Sequence, residues 1–546
     1  MQNFISIQYQ TEAVRLVFAE DGNAFTAEHS ATVAPTITYN DTVITPDASG
    51  VYTLPAIRET DQLTVSATGM AAGQNHAPGV GLSGEDLTSY NPDLFSHPVW
   101  EGDTVYHEAV MFSKGKLQSD TSTGDDTILE QTEKQLLYPI DDVISVRSAD
   151  LKTWYVQGVD YDVKDGKLIW LENGRMPIYT GYLTCRREAP DSWKDTALAD
   201  HGTPTTASFY TTGENTGLYL IYDGNHEKNT VYVTYRHTKT WADLGQIGYV
   251  PTTPTPQGEQ FSDLYRKIAS GKDIHVMIAG ASTATGCSSS GANMNYHLLS
   301  ALDEIRDLQP GVRIKAPTFF EQATASLVRK YGTNNPIHYH NIALGGISSH
   351  WALSDQNWPK NPTGKPDIEP NGKTRLVDRV EALEAYYRAE GELAADARLE
   401  PDLIYIKFAG NDIGVAPDTY EKNIRGIIRE FRETLGYKNA AIILMAGKVN
   451  NQRTHVYDMD NTGIPTPAGR ENYKNHQREQ EKRLIAIAEE TDACITVKGT
   501  SFWENVIRSK DVEDYLSNNI YHANDFWAML TAQNIVATVS KKQATK

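Results

Sequence analysis

The chain has 546 residues, too many for one ordinary core, and its 40% hydrophobic and 22% charged shares belong to globular rather than disordered proteins. Its 70 acidic against 50 basic side chains give a formal charge of -20, which repels phosphate backbones and anionic lipid and argues against nucleic acid or a membrane surface as partner. No apolar run is long enough to span a bilayer, and the scattered Cys185, Cys287 and Cys494 offer neither a disulfide framework nor a zinc spacing.

The start, Met1-Gln-Asn-Phe-Ile-Ser-Ile-Gln, lacks the basic and apolar segments of a signal peptide, which fits a cytosolic protein or an exported one without its leader. Over residues 1–70, Thr36-Ile-Thr-Tyr, Thr42-Val-Ile-Thr and Leu63-Thr-Val-Ser are strand-like, and Pro46-Asp-Ala-Ser-Gly50 is a turn. They predict a small Ig-like β-sandwich module. The glycines from Gly69 to Gly84 read as a connector within residues 70–100. Residues 71–250 predict a second β-sandwich or jelly-roll module. Its clearest strands are Val143-Ile-Ser-Val, Trp154-Tyr-Val-Gln, Lys167-Leu-Ile-Trp-Leu, Leu218-Tyr-Leu-Ile-Tyr and Val231-Tyr-Val-Thr-Tyr, with turns at Lys164-Asp-Gly-Lys and Asp223-Gly-Asn. Its many Tyr and Trp side chains fill a β core in the ordinary case; stacking on sugars is the sharper alternative.

Pro251-Thr-Thr-Pro-Thr-Pro256 is a stiff linker by composition. Beyond it, over 256–546, strand runs alternate with helical periodicity. Ile274-His-Val-Met-Ile precedes Leu298, Leu299, Leu302 and Ile305 at helical spacing, and Ile337-His-Tyr-His-Asn precedes a helix through Val377, Val380 and Leu383. Leu403-Ile-Tyr-Ile-Lys-Phe precedes Tyr420, Ile424, Ile427, Ile428 and Phe431. Ala441-Ile-Ile-Leu-Met precedes a charged helix around residues 470–490, and Cys494-Ile-Thr-Val follows it. Repeated β-then-α units predict a three-layer α/β domain with a parallel sheet, whose ligand site lies at the carboxyl ends of the strands.

Four segments stand at such strand ends or near the C-terminus: Ala279-Gly-Ala-Ser282-Thr-Ala-Thr-Gly286, Leu344-Gly-Gly346-Ile-Ser-Ser, Phe408-Ala-Gly-Asn411-Asp-Ile-Gly414 and Asn518-Asn519-Ile-Tyr-His522-Ala-Asn-Asp525. Each alone reads as a loop, a turn or a structural histidine. The first is not a G-x-S-x-G elbow, since Ala284 stands where the second Gly would be. In this order the four resemble the signature blocks of the SGNH (GDSL-like) hydrolases, over the whole C-terminal region. The resemblance implies a flavodoxin-like SGNH fold, Ser282 as nucleophile, His522 as its base, and an oxyanion hole from the backbone N–H groups of Ser282 and Gly346 and the side-chain amide of Asn411. The chemistry is sound on its own terms. A serine hydroxyl needs an imidazole to take its proton, and the tetrahedral oxyanion needs donors already aimed at it.

Two positions depart from that pattern. Ala281 stands where the family often has Asp, a matter of loop packing. Asn519 stands where the triad Asp is expected; in a serine protease triad the same exchange lowers turnover by about 10⁴. A Ser–His dyad oriented by a carbonyl, a carboxylate recruited from elsewhere, and an impaired site all remain open. Cys287 is a rival nucleophile without a placed base. Asp525 is expected to be the N-cap of the last helix. His338 and His340 face the same side of one strand, where packing is expected rather than metal binding. No nucleotide or zinc motif occurs, and no cofactor is expected.

The expected function is hydrolysis of small O-acyl esters, acetyl groups on carbohydrate foremost, because the domain order resembles bacterial carbohydrate esterases; that likeness also implies an exported or cell-surface protein. The alternative is an impaired SGNH-fold carbohydrate-binding or adhesin-like protein. Transacylation would use the same acyl-enzyme.

Overall fold

The computed structural model describes residues 6–9, 14–19, 24–29, 34–54, 62–68, 92, 96–118, 126–149, 151–180, 208–211, 219–222, 229–240, 243, 254–285, 317–344, 347–354, 375–412, 415–447, 467–506, 510–516 and 522–542. Near the N-terminus, Ser6–Tyr9, Gln62–Thr68, Ala34–Tyr39 and Thr42–Ile44 form one sheet, and Val14–Phe18, Ala24–His29 and Val51–Thr53 form another. Val14, Phe25, Ile37, Leu63 and Val65 are buried in one small core. The expected strands at 36, 42 and 63 are present; those at 6, 14, 24 and 51 lacked a clean alternation to announce them.

The described residues of the next region also form β-sheets. Its central antiparallel sheet joins β1 (Thr104–Met111), β3 (Asp142–Ser148), β4 (Trp154–Tyr155) and β5 (Thr230–Arg236) in the order β4-β3-β5-β1. A smaller sheet pairs β2 (Glu133–Lys134) with Lys167–Trp170, and that strand with Tyr161–Lys164. The Lys164-Asp-Gly-Lys signal forms the turn between the last two, with Asp165 at φ 53° and Gly166 at φ 73°, the left-handed pair that a two-residue hairpin requires. A Cβ on Gly166 would also lie 2.8 Å from the Pro139 side chain. The Asp223 turn, the connector from Gly69 to Gly84, Cys185, Cys287 and the helix at 298–305 lie outside the described residues.

After the linker comes a five-stranded sheet of β6 (Ile274–Gly280), β7 (Ile337–Asn341), β8 (Leu403–Lys407), β9 (Ala441–Met445) and β10 (Cys494–Val497), parallel throughout, in the order β7-β6-β8-β9-β10. This is the flavodoxin-like order, with its switch point at β6. Alternate residues feed two cores, as the pleat dictates. Val276, Ile278, Tyr405, Ile443 and Ile495 pack with α1 (Ser262–Ala269), α2 (Phe319–Tyr331) and α7 (Asp525–Val539). Met277, Ile404, Ile406, Ile442 and Leu444 pack with α3 (Leu376–Ala389), α4 (Pro417–Arg429) and α5 (Pro467–Glu489). The expected parallel three-layer architecture is therefore observed. Helix α2 carried an unread signal: Thr318 and Glu321 form a reciprocal capping box. Cys494 is buried and its thiol pushed up to about 12 by burial, as suits an inert small hydrophobe.

The linker does not separate two cores. Val105, Val110, Tyr138, Val146 and Tyr235 of the β region share one apolar cluster with Trp503 of α6 (Gly499–Val506), Tyr515, and Phe526, Trp527 and Leu530 of α7. Trp503 and Trp527 meet edge to face, ring centroids 3.8 Å apart.

Candidate active site

Ser282 stands two residues beyond β6, on the crevice side of the switch point. Gly280 permits this approach. A Cβ there would lie 2.1 Å from the Lys407 carbonyl oxygen of β8, a backbone atom with no freedom to move aside. That carbonyl accepts from Ala281 N at 3.1 Å, so the buried Ala281 is fixed by its backbone. The chain then winds into a turn: Ala284 N donates to Ala281 O at 2.8 Å, and Thr285 Oγ1 donates to Ser282 O at 2.6 Å.

His522 arrives from the other end of the region, three residues before α7. Its Nε2 lies 3.1 Å from Ser282 Oγ, across 240 positions of sequence, and both residues are buried. At that separation a proton can pass between hydroxyl and imidazole. The cap that fixes this end of α7 is not Asp525, as expected, but Asn524. Its backbone is extended and its Oδ1 accepts from Trp527 N at 3.1 Å, while Asp525 already has helical geometry as the first residue. Asn524 N also donates to Tyr515 O at 2.9 Å, and its Nδ2 donates to Asp514 O at 2.8 Å.

The second and third blocks are tied to the first. Beyond the paired residues of β6 and β7, Leu344 N donates to Gly280 O at 2.9 Å, which ties Leu344 to the strand end that precedes the serine. Asn411 Nδ2 donates to Ile347 O at 3.0 Å; its second amide hydrogen is a separate donor. Asp412, to which the sequence assigned no role, organises both loops. Its buried carboxylate accepts from Ser349 N at 2.9 Å, Ser349 Oγ at 2.6 Å and Ala409 N at 3.1 Å, and Asn423 Nδ2 donates to Ser349 Oγ at 3.0 Å. Burial pushes the Asp412 carboxyl up, while the Ser349 and Ala409 donors pull it back. Ala409 sits at φ 87°, a left-handed geometry costly for a non-glycine residue and held by this network. The Gly-Asn-Asp signal at 410–412 was legible; the bracing of one block by the other was not.

Gly346 and Asn519 lie outside the described residues, so the geometry places Ser282, Asn411 and His522. His338 and His340 sit apart, at the sheet edge. His340 Nε2 lies 3.0 Å from His275 Nδ1 and its Nδ1 3.1 Å from the Tyr387 hydroxyl, while His338 Nε2 lies 2.9 Å from Asp273. Burial lowers the His340 pKa to about 3, keeping that ring neutral. Among the described residues no helix is long and apolar enough to cross a membrane.

No family model matches the chain, and no curated protein matches it. Among solved structures it is similar to a two-domain esterase active on acetylated mannans, with 13% identity over 52% of this chain and 53% of the other, at a TM-score of 0.28. It is also similar to an acetyl xylan esterase from Geobacillus stearothermophilus, with 15% identity over 49% of this chain and 97% of the other, at 0.26. A GDSL-like lipase from Parabacteroides merdae gives 14% identity over 48% and 94%, also at 0.26. The chain spans about half the length of the first of these.

Proposed function

We propose that this chain is a serine ester hydrolase of SGNH type, with Ser282 as nucleophile and His522 as general base. The contact of 3.1 Å between His522 Nε2 and Ser282 Oγ carries the reading. As Oγ attacks the acyl carbon, its proton passes to Nε2. The tetrahedral adduct collapses, the leaving alkoxide takes that proton, and the acyl-enzyme remains. Water then attacks the acyl carbon and gives a proton to Nε2; this second adduct breaks the Oγ–acyl bond, the carboxylic acid leaves, and Oγ takes the proton back from Nε2. The Asn411 amide hydrogen not held by Ile347 is a donor for the developing oxyanion; losing one such donor costs about 3 kcal/mol of barrier in other enzymes. Gly346 N–H and the Ser282 backbone N–H complete the proposed hole.

The substrate proposed is a small O-acyl group, acetyl foremost, on carbohydrate. Its basis is the order of signature blocks and preceding β regions in the sequence. Asn519 stands in the chain position expected of the triad acid, so a dyad without a carboxylate is the proposed working form. The test is hydrolysis of p-nitrophenyl acetate, acetylated xylan and acetylated mannan. Wild type should release acetate from at least one, and Ser282→Ala from none. Equal rates for the two would remove Ser282 from the chemistry. A protein that bound a sugar array yet released no acetate would be the adhesin-like alternative.

A further inference from the structure

We propose that β1 and β2, which hold Glu108, Met111 and Lys134, are a working part of this active site, with Lys510 as a positioning residue for His522; the inference rests on the esterase reading above. The segment from Lys510 to Leu516, which leads toward His522, is docked on those strands by buried polar contacts. Lys510 is wholly buried, its Nζ 2.8 Å from Glu108 Oε1 on β1 and also donating to the Ala109 carbonyl oxygen. Glu108 is fully satisfied: Oε1 also accepts from Leu137 N at 2.7 Å, and Oε2 accepts from the Tyr235 hydroxyl at 2.7 Å. Asp514 Oδ1 accepts from Met111 N at 2.7 Å and lies 3.4 Å from Lys134 Nζ of β2; Lys134 also pairs with Asp511 at 2.9 Å.

Buried ion pairs of this kind lose in desolvation much of what they gain in attraction, so they add little stability over an apolar seam of the same shape. What they do supply is a unique register, since a slip strands a charge without its partner. Here the register is handed on. Leu516 and Ala523 form an antiparallel bridge, and Asn524 ties back to the backbone of Asp514 and Tyr515 while capping α7. His522 directly precedes Ala523 of that bridge. The seam thereby sets where Nε2 meets Ser282.

Two variants test this. Lys510→Met with Glu108→Gln removes both charges and keeps the volume; Asn524→Ser keeps a capping oxygen but loses the tie to Asp514. Each is assayed on p-nitrophenyl acetate beside wild type and Ser282→Ala, with thermal melting as the check on folding. The expected result is a folded protein whose kcat falls by about tenfold or more while KM stays within about twofold, since a displaced general base slows the chemical step and leaves binding alone. Should the double variant fail to fold, Asn524→Ser carries the test by itself. Unchanged kcat in a folded variant, with wild type active, overturns this inference and leaves the esterase reading standing. Turnover that Ser282→Ala does not remove defeats both.

Discussion

The two halves of the site are held by different means. Ser282 is fixed by backbone: the β6–β8 register, the Lys407 carbonyl against Gly280, and the Leu344-to-Gly280 bond. The segment before His522 is held by side chains: Lys510 and Asp514 reach a strand some 400 positions away in the chain, and Asn524 ties back to Asp514. A backbone ladder tolerates most substitutions on its surface, because no particular side chain makes it. A side-chain seam does not. The serine half should therefore fail only where backbone space is violated, and the histidine half wherever one charged or capping group is lost.

The largest effect should not discriminate between the halves. His522→Ala and Ser282→Ala are each expected to lower p-nitrophenyl acetate turnover by at least about 10³, because a nucleophile and its base act as a unit. The two sides separate in stability. Lys510→Met alone strands Glu108 and should cost about 3–5 kcal/mol in urea unfolding, most of it recovered when Glu108→Gln is added. On the serine side, Gly280→Ala drives a Cβ into the Lys407 carbonyl and should cost at least about 2 kcal/mol. A loss from Gly280→Ala matching a surface substitution would break the contrast.

A pH experiment sharpens it further. Burial, opposed by Lys134 and Lys510 and aided by Asp511, pushes the Asp514 carboxyl up from 3.8 to about 6. The folded protein thus holds that proton more tightly than the unfolded chain does. This group's contribution is full below about pH 4 and is lost as pH rises toward 6, with a slope of at most about 1.4 kcal/mol per pH unit. Asp514→Asn should flatten the stability curve over that window; an unchanged curve would mean that the seam carboxyl is not buried as described. The smallest effect is the cap: Asn524→Ala should cost about 1 kcal/mol, and Asp525→Ala should not reproduce the loss of the cap.

The same contrast governs what could be read from the sequence. Strands β6 to β10 declare themselves as apolar runs between helical periods, so the parallel sheet and the loop carrying Ser282 were legible, and the four blocks in order pointed to the Ser282–His522 encounter. The seam was not. Lys510, Asp511, Asp514, Glu108 and Lys134 carry no pattern in the sequence that announces burial. Nothing local marks a lysine for a glutamate 402 positions away. The cap was misplaced by one residue because Asn524 and Asp525 are equally good capping types, and only the extended backbone of Asn524 decides between them. Asp412 was visible as a motif member, but its work on Ser349 depends on a strand end folding back over 63 positions.

One measurement bears most directly on the encounter between nucleophile and base. Treatment with a fluorophosphonate, followed by peptide mapping, should show the phosphonyl group on Ser282 in wild type and its near-absence in His522→Ala, because only the imidazole makes that hydroxyl reactive. Modification elsewhere, or equal labelling of Ser282 with and without His522, would contradict the account.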